Sequence, residues 1–262
     1  MSIFLILVML FSLHVPQYAA EKKTRPFPQD WLSGQLQIWT SPFKVKKRSL
    51  LFLGGFALTA AFLVTKDEVF NADVREFVAD NRWVRKSSPV FTQMGSTPVN
   101  LGLIGSFYLG GVLFKDARAR KTARLSLLSL MHAFVVTQVA KRVFRRQRPY
   151  VEDGVDRWFA PGNGTDYRSF PSGHTSSAWS VATVIAGMYR DKPAVPVLCY
   201  SLATLVGLSR MTENKHWASD VFVGAVLGYA IGRFVLKTHN SKFQVSPVLN
   251  SDRLGIGVSY IF

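Results

Sequence analysis

Six apolar blocks of helix length, at roughly 49–65, 97–114, 124–140, 174–189, 193–209 and 217–236, govern what this chain can fold into. Within them hydrophobic residues run together instead of alternating, and each block is longer than an ordinary strand. The blocks therefore read as helices, and a chain built from them as all-α. Several hold only about 16 or 17 uncharged residues, at the short end of what crosses a bilayer. Between 71 and 96 the chain is more polar, while Phe70, Val74, Phe77 and Val78 recur at helical spacing, which predicts an amphipathic helix at an interface.

Charge narrows the partners. Thirty-two Lys and Arg against sixteen Asp and Glu give a formal charge of +16, which suits nucleic acid, anionic lipid or a phosphorylated substrate. Here the cations punctuate apolar blocks instead of covering a polar domain, which selects membrane and phosphate over nucleic acid. The length suits one large helical domain at 49–240, preceded by a basic segment at 21–48. Residues 3–13 form an apolar core followed by Ala19-Ala20, so 1–20 reads as a signal peptide. Cys199, the single cysteine, lies in an apolar run and reads as a small core residue. In the tail at 241–262, Leu254, Ile256, Val258, Tyr260 and Phe262 alternate, predicting a short β-hairpin with the run Phe243 to Leu249.

Three short stretches at the block ends carry chemistry. Lys141 to Pro149 closes the third block, and Pro171-Ser172-Gly173-His174 opens the fourth. Ser209-Arg210 closes the fifth, and His216 with Asp220 opens the sixth. In an antiparallel bundle these ends meet on one side. A phosphoryl group needs charge neutralisation on its equatorial oxygens, an in-line nucleophile and a proton donor for the leaving oxygen. Cations, two histidines and a carboxylate supply all three without a metal or other cofactor.

Written as patterns, the stretches are Lys-x6-Arg-Pro, Pro-Ser-Gly-His and Ser-Arg-x5-His-x3-Asp. In this order they resemble the signature of the type 2 phosphatidic acid phosphatase superfamily, which also holds bacterial class A acid phosphatases and vanadium-dependent haloperoxidases. The resemblance implies a six-helix bundle with His216 as nucleophile, His174 as acid on the departing alkoxide, and a phosphohistidine intermediate. It also implies Lys141, Arg148, Ser172, Gly173 and Arg210 as phosphate-binding residues.

The residues fit those roles physically. His216, Asp220, Gly224, Gly228 and Gly232 recur every four positions and share a slowly drifting helix face. Asp220 can then hold one ring nitrogen of His216 and leave the other as a lone pair, while the glycines let a neighbouring helix approach. Lys141, Arg145 and Arg148 fall on one helical face at i, i+4 and i+7, with Pro149 ending the helix. Arg148 and Arg210 offer planar forks and Lys141 a point charge. Gly173 allows backbone N–H groups to approach an anion at a helix start, and Ser172 adds a hydroxyl. Arg142, Arg145 and Arg146 lie outside the pattern and read as interfacial charges near anionic headgroups, with substrate contact as the alternative. His132 reads as a packed helix residue.

The expected protein is a membrane-associated, metal-independent phosphatase acting on a lipid phosphate or diphosphate. A secreted acid phosphatase, a vanadium haloperoxidase and a non-enzymatic anionic-lipid-binding protein remain open at this point. Short, strongly basic segments at Lys44–Arg48 and Lys115–Arg124 belong on the cytoplasmic side, which puts the site on the outer face of a bacterial-type inner membrane. A cleaved signal peptide followed by six spanning helices would put it inside; the basic segments favour the outward site.

Overall fold

The structure, a computed structural model, describes residues 26–41, 47–151, 156–161, 164–240, 243–250 and 253–260. Residues 1–20, read from the sequence as a signal peptide, lie outside them. Two units are distinguished: Lys47–Ser241, and a smaller one made of Met1–Lys46 with Lys242–Phe262. The smaller unit contains helix α1 (Phe27–Thr40) and strands β1 (Phe243–Asn250) and β2 (Arg253–Tyr260). The strands pair antiparallel, from Phe243 opposite Tyr260 to Asn250 opposite Arg253.

Among its described residues the larger unit is built on seven α-helices, where six were expected. These are α2 (Lys47–Asp80), α3 (Arg82–Met94), α4 (Thr97–Leu113), α5 (Ala117–Phe144), α6 (Gly173–Met188), α7 (Ala194–Thr212) and α8 (Ala218–Asn240). The difference lies between 49 and 96. No proline or glycine interrupts the chain after Gly55, so the first apolar block continues as one helix through the polar stretch to Asp80. Residues 82–94 then form a helix of their own. It turns Ser88 and Thr92 onto α7, where their hydroxyls lie 2.7 Å from Thr212 Oγ1 and 2.8 Å from Ser209 Oγ.

The centre of the bundle is α6. Eleven of its sixteen residues are buried, and most are Ser, Thr, Ala or Val. Small side chains let three helices close around it. The four-residue glycine repeat of α8 faces it directly: a Cβ on Gly228 would sit 2.4 Å from the Ser176 carbonyl oxygen. One on Gly232 would sit 2.6 Å from Thr183 Cβ, and one on Gly224 2.8 Å from the Ser172 carbonyl. These contacts make the repeat a packing seam, as in helix pairs that approach through small residues.

The outer surface is apolar. Leu51, Phe52 and Leu58 of α2, and Val197 and Leu198 of α7, each leave more than half of their surface uncovered. A band of that kind is costly in water and favourable against lipid. Four helices, Ser49–Asp80, Ala117–Phe144, Ala194–Thr212 and Ala218–His239, are long and apolar enough to cross a bilayer. This is a membrane protein.

Candidate active site

At its N-terminus α5 is capped by Asp116, whose carboxylate accepts from the N–H groups of Arg118 and Ala119 at 2.8 and 3.1 Å. It stops at Phe144, because Arg145 takes a left-handed conformation with φ 39°. The helix therefore does not reach Pro149. Arg145 and Arg148 do not share a helical face with Lys141, and Arg148 meets it from a loop. That loop is tied down by Gln147 N–H to Arg157 O at 2.8 Å and Ser169 N–H to Arg146 O at 3.0 Å.

Lys141, Arg148, Gly173, His174 and His216 line one pocket of about 250 Å³, together with Thr137, Ser177 and Arg168. Five of the eight expected site residues thus meet on one cavity, from α5, the following loop, the start of α6 and the turn before α8. The ammonium of Lys141 donates to the carbonyls of Arg168 at 2.5 Å and Ser169 at 3.2 Å. Arg148 donates to the carbonyls of Thr165 at 2.9 Å and, more loosely, Lys215 at 3.4 Å. Neither cation has a carboxylate bonded to it among the described contacts.

The other three expected residues stand behind the pocket wall. Ser172 is fully buried and serves as a joint: its N–H donates to the Asp220 carbonyl at 3.0 Å, and its hydroxyl accepts from Thr175 Oγ1 at 2.8 Å. The Ser172 N–H is thus spent on α8, and its hydroxyl, expected as a donor to phosphate, accepts from Thr175. Arg210 donates through Nη1 to Thr92 Oγ1 at 3.0 Å and Glu213 Oε2 at 2.5 Å, while its buried Nε–H has no partner. An unspent guanidinium donor beside a cationic pocket is suited to an arriving oxyanion.

Asp220 organises His216. Its Oδ2 lies 3.5 Å from His216 Nδ1 and accepts from the Trp217 N–H at 3.1 Å. Ser169 donates its hydroxyl to the same Oδ2 at 2.5 Å, and its oxygen lies 3.4 Å from His216 Nδ1. With that hydroxyl proton spent on Asp220, both groups facing Nδ1 are acceptors. The arrangement favours the tautomer with the proton on Nδ1 and the lone pair on Nε2.

Burial pushes the His216 pKa well below the ordinary histidine value; the Asp220 contact opposes this, and Lys141 and Arg148 reinforce it. That direction favours the neutral ring, the form in which an imidazole can act as a nucleophile. His174 sits at the mouth of α6, which is not one of the four long apolar helices. Its pKa is pushed down to about 4 by burial and then by Arg210, Arg148 and Lys141.

Sequence reasoning missed Arg146. Read as an interfacial charge, it is completely buried instead, stacked 4.4 Å from the Trp158 ring and 5.2 Å from that of Trp217. Its guanidinium bonds Asp156 twice (2.8 and 2.6 Å), Ser219 Oγ (2.6 Å), Asp220 Oδ1 (2.7 Å) and Asp67 Oδ2 (2.7 Å). Asp67 comes from α2, seventy-nine residues away in sequence. No local pattern marks it: Asp67 stands between Lys66 and Glu68, just after an apolar run, and looks like an ordinary charged residue at the end of that run.

The sequence profile of the PAP2 superfamily matches residues 122–244. The lipid A 1-phosphatase of Porphyromonas gingivalis is 42% identical over 71 residues, 27% of this chain and 16% of that protein. This chain's match thus spans well under two thirds of that relative's length. The crystal structure of Aquifex aeolicus LpxE superposes with a TM-score of 0.52 at 25% identity, over 65% of this chain and 94% of that one. That of the transmembrane PAP2-type phosphatidylglycerolphosphate phosphatase from Bacillus subtilis gives 0.56 at 24% identity, over 73% and 95%, and shares the fold.

Proposed function

This chain belongs to the PAP2 superfamily through residues 122–244, and we propose that it is a membrane phosphatase that hydrolyses lipid phosphate monoesters or diphosphates without a metal. The observation that carries the reading is the convergence of Lys141, Arg148, His174 and His216 on one pocket beneath an apolar exterior.

In the proposed reaction Lys141, Arg148 and Arg210 neutralise the equatorial oxygens, helped by backbone N–H groups in the first turn of α6. His216 Nε2 attacks phosphorus in line. His174 gives its proton to the departing alkoxide, leaving a phosphohistidine. Water, deprotonated by His174, then releases phosphate and restores the imidazole. Burial, and then three cations, hold His174 largely neutral. A bound phosphate dianion offsets them and lets the ring carry the proton it must donate.

Similarity to the lipid A 1-phosphatase supports a lipid phosphate as substrate. The exposed apolar band and four spanning-length helices favour that over a secreted acid phosphatase. The basic segment around Lys115–Arg124 and the pocket lie at opposite ends of α5, whose 28 residues extend about 42 Å. With that basic end in the cytoplasm, the site faces outward across an inner membrane.

Purified protein in detergent, assayed with EDTA present, should release phosphate from one or more of phosphatidic acid, phosphatidylglycerophosphate, lipid A and undecaprenyl diphosphate. Vanadate should inhibit as a five-coordinate mimic. Activity that vanishes with EDTA and returns with a divalent ion refutes the metal-free reading, and no release from any substrate refutes the phosphatase.

A further inference from the structure

Five hydrogen bonds leave the Arg146 side chain, which is the full complement of N–H donors a guanidinium owns. Every donor is spent, every partner belongs to this chain, and the group is absent from the pocket lining. Arg146 therefore has nothing left for a substrate. What it does have is a grip on the nucleophile's own support. Asp220 has two oxygens; Oδ2 faces His216, and Oδ1 is held by Arg146 at 2.7 Å.

Asp67 works on the same turn from the other side. Its Oδ1 accepts from the Ser219 N–H at 2.9 Å, and its Oδ2 accepts from both Arg146 Nη2 and the Ser219 hydroxyl. Ser219 immediately precedes Asp220 in the first turn of α8. A carboxylate from α2 thus occupies an N–H that a helix start otherwise leaves open. Asp67 lies outside residues 122–244, and neither Asp67 nor Arg146 belongs to the three sequence patterns.

We propose that Asp67 and Arg146 are a positioning pair for phosphoryl transfer, which clamps Asp220 and the first turn of α8 so that the Asp220–His216 contact has a single geometry. The pair does two things. It removes the freedom of the Asp220 carboxylate to rotate, since a rotation breaks the bond from Arg146. It also shares the negative charge of Asp220, so that the carboxylate orients His216 without pulling a second proton onto the ring. The proposal rests on the phosphatase reading, because it assigns the pair a role only in that reaction.

A buried ion cluster can instead serve stability alone, so the test needs readouts that a stability role leaves still. Arg146→Gln, Arg146→Lys and Asp67→Asn would be purified in detergent beside the parent and His216→Ala. Steady-state kinetics and rapid-quench trapping of the phosphoenzyme would be measured on the substrate the parent prefers. Arg146→Gln should lower kcat about 100-fold with KM within about threefold, because Lys141, Arg148 and Arg210 keep their places. Arg146→Lys, with three donors, should fall between. Asp67→Asn, which keeps an acceptor for the Ser219 N–H, should lower kcat about tenfold on the same reasoning.

The pH profile supplies the second readout. The groups facing His216 are Asp220 on α8, Ser169 in the loop before α6, Lys141 on α5 and Arg148 after it. Losing Arg146 leaves the Asp220 charge less shared, which favours imidazolium. The acidic limb of kcat/KM should therefore move up by about one pH unit.

Folded Arg146→Gln protein with kcat within about fivefold of the parent overturns the proposal, as does a raised KM with kcat preserved or an unmoved acidic limb. If Arg146→Gln does not fold, the kcat of Asp67→Asn decides, with a loss under about twofold overturning the proposal. A parent no more active than His216→Ala sinks the phosphatase reading itself; an active parent with indifferent variants sinks only the positioning pair.

Discussion

Arg146 and Arg148 stand two residues apart and meet opposite fates. Arg146 is fully buried among Asp67, Asp156 and Asp220, and those carboxylates raise its pKa despite the cost of burial. Arg148 is half-buried on the pocket and bonded only to carbonyls, and burial lowers its pKa. A guanidinium matched by carboxylates is finished; one held by carbonyl dipoles still carries an unbalanced charge and awaits an anion. The pocket is thus a region kept short of negative charge, adjoining, through His216 and Asp220, one that has a surplus.

The comparison can be broken most directly where the two regions touch, at His216. His216→Ala should abolish turnover, a loss of roughly 10⁴-fold or more, because the proposed covalent intermediate forms on this ring. Retained activity within about tenfold would mean that the two regions are not joined through this ring.

Exchanging the two arginines in turn separates their roles. Arg148→Gln should cost on the order of 10²–10³ in kcat/KM while leaving the thermal midpoint unchanged or higher, since an unbalanced buried charge is removed. Vanadate should raise the parent's midpoint and raise this variant's less. Arg146→Gln should instead destabilise the fold by about 3–5 kcal/mol, the cost of stranding buried carboxylates. Denaturation monitored beside activity checks both, and equal destabilisation by the two would erase the distinction.

A smaller effect reads the charge deficit itself. In phosphate-free buffer the His174 ring, followed by ¹⁵N NMR, should titrate near pH 4, held down by burial and by Arg210, Arg148 and Lys141. Added phosphate supplies the missing negative charge and should raise that midpoint by about one unit or more. An unchanged midpoint would show that phosphate does not bind among these cations.

The smallest effect belongs to Arg142, exposed on α5, whose bond among the described residues goes to the Gln138 carbonyl at 3.3 Å. Arg142→Gln should shift stability by less than about 0.5 kcal/mol and leave activity within about twofold.

Much of this was legible beforehand, for reasons that differ by residue. The pattern Pro-Ser-Gly-His and the His216–Asp220 spacing are local, so a helix of known pitch brings their members together without knowledge of the rest. Gly224, Gly228 and Gly232 announced a close helix contact in the same way. The reading of Lys141, Arg145 and Arg148 as one face failed because it took Pro149 as the helix end. The left-handed Arg145 ends it four residues earlier and rotates everything after it. Arg146 was misjudged for a deeper reason. Its partners come from α2, from Asp156 and from α8, and only the folded bundle brings them within reach. A cation in a basic run looks solvated until its carboxylates are found.

The glycine seam between α6 and α8 carries an implication for how such a protein can change. Gly224, Gly228 and Gly232 act as notches cut to the backbone of Ser172, Ser176 and Ser180, so the two helices have one register. His174 rides on one and Asp220 on the other, and a single-residue insertion in either would throw the two out of step by about 100° of helical rotation. The outward faces of α2, α4 and α7 carry no such notches. A lineage adapting to a thicker membrane has room to lengthen or re-clothe those surfaces, whereas the inner pair must be inherited whole.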